Sequence, residues 1–304
     1  MNDVYNKYKH LIECKTLTDS KQYYNIMLNC MKVIIDTKIY DSKSERDNNA
    51  KAMFQMFFHR CLAIKNMFDG YGYKQETGNT IIKLRPIVYF PSMLSLIRDL
   101  YEAFCAFELI YIYPDSEDKR LIMYNLFLIQ GLKERQKNYH SKEYDEQKKQ
   151  DECAIEKAKQ EIKNTELYSK LNNTNKNALD YLMDIRPTYW RVIDENSNDV
   201  FKKFKAEEDY VLFGIKKESF EDTYSYLSMF SHPSYISILQ FKSAYTNQGD
   251  NFVCLAIRYA VVLMSFYIAD YCKLFPECNS VLDGLDMDNR FLVEFFDNLF
   301  RVRE

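Results

Sequence analysis

An all-α fold, a multi-helix bundle with long helices and one charged, exposed helical arm, is predicted by three features of the sequence. Apolar residues recur at the three- and four-residue spacing of helices through most of the chain, and alternating strand patterns are almost missing. The six prolines are also placed so that none lies between Pro114 and Pro187, which leaves room for long helices. With 304 residues, 47% apolar and 15% aromatic, the chain can bury a sizeable core. A single helical domain over 1–304 is expected: an N-terminal layer (1–85), a core bundle (86–140 with 175–304) and a charged arm (141–172).

Thr16–Ile39 and Ser44–Asp69 each open on a Ser or Thr cap signal and continue with helical apolar spacing. Gly70 and Gly72 close the second, and the stretch up to Pro86 reads as a long loop with at most a short strand at its end. The best-punctuated helix is Pro91–Tyr113: Pro91 suits a first turn, where a missing N–H costs nothing, and Pro114 stops it. Residues 119–140 form the next amphipathic helix. From 141 to 170 charges of both signs recur with sparse apolar positions at Ile155, Ala158 and Ile162, as in a solvated or projecting helix. Asn172–Asn177 is a break before a short helix ending ahead of Pro187. The tryptophan segment around Trp190 leads toward a helix from about Asn198, and Glu218–Phe230 is a further amphipathic helix. Residues 252–275 are the most apolar run, and the last helix starts at acidic residues and ends at arginines, which complements its dipole.

The formal charge of −3 and a pI near 5.9 supply no global basic field, so DNA binding is not expected, although a local patch for RNA is compatible with them. The eight cysteines form no CxxC pair and mostly sit in apolar helical patterns, where they read as small buried hydrophobes. The first residues lack the apolar core of a secretory signal, and a cytoplasmic location is expected. The 252–275 run is long enough to span a bilayer, but Arg258, Asp270 and Lys273 interrupt it, so a core helix is expected and no membrane partner. Arg258 and Asp270 stand about 18 Å apart along such a helix and each needs its own partner or solvent. Phosphate-binding glycine loops, HExxH and zinc-ligand spacings are absent, so no cofactor and no metal are expected.

Arg98 and Glu102 are spaced i,i+4 on a stripe, with Ser95 and Asp99, that turns apolar further along, so the two must satisfy each other if that face is buried. His232 precedes a proline at a helix end, where its ring can turn toward a neighbouring helix. Arg98, Glu102 and His232 are therefore expected to border one polar pocket and are the candidate catalytic residues. Ser228 and His232 are also i,i+4 neighbours, without the glycine-rich elbow that a nucleophilic serine needs.

The segments SLIRDLYEAFCAF, Tyr189–Val192 with Trp190, and YSYLSMFSHPS together resemble a bacterial family of all-helical domains of unassigned function, some of whose members are similar to the HEPN-like nucleases and toxins of conflict systems. The likeness covers roughly 86–270, and its markers are Arg98, Glu102, Ser228 and His232. Ser228, Tyr226 and Trp190 lie in these motifs and are the candidate binding residues. The resemblance implies two roles: a non-catalytic interaction or sensor module of a defence or toxin locus, binding a protein partner or a second copy, or a divergent HEPN-type ribonuclease. The HEPN pairing of an arginine four to six residues before a histidine is matched by Arg135 and His140, in a charged stretch away from those markers. His232 has Ser225, Tyr226 and Leu227 where that arginine would stand, a departure from the nuclease motif.

Overall fold

The computed structural model describes residues 2–37, 44–77, 80–185, 191–195, 200–230, 234–244 and 249–302. Its elements run α1 (Asn2–Glu13), α2 (Leu17–Asp36), α3 (Glu45–Asp69), β1 (Tyr71–Thr77), β2 (Thr80–Ile87) and α4 (Phe90–Phe107), which widens into a π turn at Glu108–Ile112. They continue with α5 (Glu117–Gln136), α6 (Asp145–Lys163), α7 (Glu166–Lys170), α8 (Asn173–Ile185), β3 (Arg191–Ile193) and β4 (Phe201–Lys203). The last part holds α9 (Lys217–Phe220), α10 (Thr223–Ser228), α11 (Tyr235–Ala244), α12 (Gly249–Leu274), α13 (Asn279–Asp283) and α14 (Met287–Phe300). The fold is all-α and multi-helical, as the periodicity predicts. The chain forms two compact units, Met1–Phe104 with Gly214–Glu304, and Cys105–Phe213.

In the first unit α12 is the central helix, with α2, α14 and α3 packed against it. Thr16 and Ser44 accept the N–H groups of Asp19 and Asp47 and so cap α2 and α3, and Asp286 does the same for Asn289 in α14. Gly70 ends α3 at φ 86°, a conformation that side chains resist. The core is strongly aromatic: Phe54 stacks on Tyr271 with centroids 4.0 Å apart, and Phe57 meets Tyr267 at 4.1 Å. Buried hydroxyls find backbone acceptors, as where Tyr23 donates to Leu292 O at 2.7 Å and Tyr24 to Cys61 O at 2.9 Å. Among the described helices only α12 is long and apolar enough to cross a membrane, and 72% of its apolar window is buried within the protein. Asp270 takes its own partner, Arg301 at 2.6 Å, and Arg258 is exposed, as their 12-residue separation requires.

The second unit is organised by α5 and α6, which lie side by side. The charged segment is thus an amphipathic layer: its outer face is exposed, while Asp151, Ile155, Ala158 and Ile162 are buried at spacings of four, three and four. Arg135 on α5 grips the Asp151 carboxylate with Nε at 3.0 Å and a second bond from Nη2, and Gln147 adds a bond at 3.2 Å. Lys133 donates to the carbonyls of Met183 (2.6 Å) and Asp184 at the end of α8, a cation where the helix dipole wants one. Asn172 Oδ1 accepts from Asn175 N at 2.9 Å, so the NNTNKN stretch is a capped helix start.

Four elements depart from expectation. The stretch after Gly70 is a two-stranded antiparallel hairpin, paired from Tyr71 opposite Ile87 to Thr77 opposite Thr80. The sequence reading follows the loop-like composition of this stretch and misses Gly-Asn as a two-residue hairpin signal. Within the helix anticipated from about Asn198, the described residues Phe201–Lys203 form a strand paired with Arg191–Ile193, where β-branched and aromatic residues favour strands. The helix anticipated over Glu218–Phe230 is broken into α9 and α10 at Asp222, whose φ of 62° no helix tolerates. Tyr235–Ala244, to which the sequence reading assigns no element, forms α11.

The cysteines are buried apart from Cys153. Burial pushes the Cys14 thiol up to about 11 and that of Cys30 up to about 12, so both are poor nucleophiles.

Candidate functional site

The candidate site lies in the first unit, where one face of α4 meets α10. Arg98 Nη2 stands 3.0 Å from Glu102 Oε1 and donates to the Tyr224 hydroxyl at 3.1 Å. That hydroxyl donates in turn to Glu102 Oε1 at 3.3 Å, closing a triangle, and the Arg98 guanidinium lies 5.3 Å from the Tyr224 ring centroid. Both side chains of the ion pair are about one-third exposed or less. Burial works against the Arg98 charge, but the Tyr224 hydroxyl and the Glu102 carboxylate outweigh it and hold the guanidinium above its usual range. Arg98 Nε is buried with no hydrogen-bond partner among the described residues.

One turn earlier Ser95 Oγ lies 3.1 Å from Pro91 O and 3.0 Å from Phe230 O, which ties the end of the α10 segment to α4. Tyr101 stacks on Phe220 at 5.6 Å and meets Tyr224 at the same distance, fixing both α9 and α10 against α4. Beside this face α3 and α4 leave an open groove of about 550 Å3, lined by Ala63, Asn66, Met67, Ser92, Ser95 and Leu96. The Arg60–Asp99 ion pair joins the same two helices one turn on from it.

Arg98 and Glu102 are brought together as the i,i+4 spacing requires. Ser228 is close by in sequence to Tyr224, but its hydroxyl donates to Tyr224 O at 2.7 Å, a bond back into its own helix. Tyr226 turns to Phe230 and Tyr259, with ring centroids 5.5 and 6.0 Å away. Burial, and secondarily Tyr259, push its phenol up. His232 and Trp190 lie outside the described residues. The sequence reading missed Tyr224, the group that closes the triangle; nothing in its spacing separates it from the other tyrosines of YSYLS. The arginine of the short Arg135–His140 match is committed to Asp151 in the second unit, and His140 is exposed.

The Glu102 carboxylate is neutralised by the Arg98 guanidinium at contact distance, and the bridging Tyr224 hydroxyl donates to the same oxygen, Oε1. Among the described residues no group of three or more His, Cys, Asp or Glu side chains is arranged to hold a metal ion.

The family model that matches the chain is described as a family of unknown function (DUF5677) and covers residues 79–250, from the hairpin to the start of α12. No curated protein and no solved structure matches the chain.

Proposed function

The chain belongs to this family of unknown function, DUF5677, and on that footing we propose that it is a non-catalytic helical interaction or sensor module. The observation that carries the reading is the closed Arg98–Glu102–Tyr224 triangle. General acid–base catalysis needs groups whose environments push their proton affinities apart and leave a face open to substrate. Here the contacts the charged pair makes lie in the joint between α4 and α10. Buried or half-buried ion pairs of this kind fix how helices dock. The sequence resemblance to helical proteins of conflict systems makes a bacterial defence or toxin locus the setting we favour, with a cytoplasmic location and a protein partner.

A divergent HEPN-type ribonuclease is the second reading. It is favoured by the Ser95 bond to Phe230 O, which ties the chain two residues before His232 to the helix that carries Arg98 and Glu102. Incubation of purified protein with single-stranded and structured RNA separates the two. The interaction reading expects no cleavage by the parent, and equal growth of cells expressing the parent, His232→Ala or Glu102→Gln. RNA cleavage by the parent that is lost in both variants while their melting temperatures stay unchanged would overturn it.

A further inference from the structure

The ribbon of β3 and β4 in the second unit ends on two cations. Its register sets Arg191 directly opposite Lys203, on one face, and like charges so placed repel across the roughly 5 Å between paired Cβ atoms. The rest of the ribbon is held by Val192, Ile193 and Phe201, all buried. Among the described residues neither cation takes a carboxylate partner. The neighbouring lysines do: Lys202 stands 3.6 Å from Asp209 and Lys205 3.1 Å from Glu208.

The Arg191 guanidinium is anchored across the ribbon, where Nη1 donates to Phe201 O at 3.1 Å. Its other edge is unused. Nε is buried with no hydrogen-bond partner among the described residues, and Nη2 takes no acceptor among them either. Nε and Nη2 together form the side-on fork that grips two oxygens of one oxyanion, and a buried N–H without an acceptor costs free energy that such an oxygen restores.

We propose that this corner of the ribbon binds a phosphoryl dianion, as a phosphate monoester or the free ion, with two oxygens on Nε and Nη2 of Arg191 and a third against the Lys203 ammonium. The proposal deepens the sensor reading, on which it rests, by naming a ligand class. Charge selects the ligand: a phosphoryl dianion carries close to two negative charges near neutral pH and matches the two cations, whereas a nucleic-acid phosphodiester or a carboxylate carries one. Geometry selects it too. A carboxylate has two oxygens, both used by the fork, while a phosphoryl group keeps a third for the donor on the opposite strand. Binding also relieves the repulsion between the strands, so ligand and ribbon stabilise each other.

Isothermal titration of the full chain with inorganic phosphate and with adenosine 5′-monophosphate, at constant ionic strength, tests this. The parent is expected to bind both saturably at one site, the tighter of the two marking whether the free ion or a monoester is the source. Arg191→Lys, which keeps the charge and loses the fork, and Lys203→Glu are each expected to weaken binding roughly tenfold or more. Lys203→Glu turns a repulsive cross-strand pair into an attractive one, so its ligand-free melting temperature should not fall and its lost binding is not lost folding. A parent that binds neither probe, an affinity unchanged in either variant, or acetate bound as tightly as phosphate each overturns the proposal. So does single-stranded RNA without a terminal phosphate, if it binds through Arg191 more tightly than both probes. RNA cleavage by the parent would sink the non-catalytic reading and leave the phosphoryl site standing, while an inactive parent that binds neither probe would sink the site alone.

Discussion

Arg301→Ala is expected to destabilise the first unit by about 3–5 kcal/mol, the largest loss among its ion pairs. Arg301 Nη1 lies 2.6 Å from Asp270 Oδ1 and 3.4 Å from Asp297 Oδ1, with all three side chains 10% exposed or less. Its guanidinium also stacks near Phe266, at 4.8 Å, and Phe104, at 5.5 Å. Removing it strands two buried carboxylates beside each other, and Asp270 Oδ2 already has no hydrogen-bond partner among the described residues. The loss reaches the chain around it: Arg301 pairs with Ile215, and Val302 N donates to Gly214 O at 2.9 Å. Denaturant titration should show the loss directly. A triple variant, Asp270→Asn, Asp297→Asn and Arg301→Met, should recover most of it, because neutralising a whole buried cluster costs far less than breaking one. A loss below about 1 kcal/mol for Arg301→Ala would show that the cluster is hydrated.

Phe54→Ala should cost about 3–5 kcal/mol by leaving a cavity against Tyr271 and Tyr267, whose rings lie 4.0 and 5.7 Å away. At roughly 2–4 °C per kcal/mol for a body of this size, melting falls by about 10 °C. Phe54→Leu should cost less than half as much, since it keeps most of the buried volume. Equal losses for the two would mean that ring stacking, not cavity formation, holds α3 to α12.

The elements that were legible are those whose signals are local. Pro91 and Pro114 bracket α4 and its π turn, Thr16 and Ser44 cap their helices, and the spacing of Arg98 and Glu102 puts them on one face. What was illegible depends on partners distant in sequence. Arg301 finds Asp270 across 31 residues, and Tyr224 reaches Glu102 across 122. The charged segment reads as an exposed helical arm, and the partner of its buried Asp151 is illegible because Arg135 lies on a different helix. The β1–β2 hairpin and the break at Asp222 turn on one or two residues whose backbone choice outweighs the composition around them.

A double-mutant cycle on Glu102→Gln and Tyr224→Phe, read by denaturant unfolding beside an RNA-cleavage assay, tests most directly whether the triangle is architecture. The account predicts a coupling energy of at least about 0.5 kcal/mol between the two positions, with no cleavage by the parent or any variant. Additive stabilities, together with parent cleavage that Glu102→Gln abolishes, would contradict it.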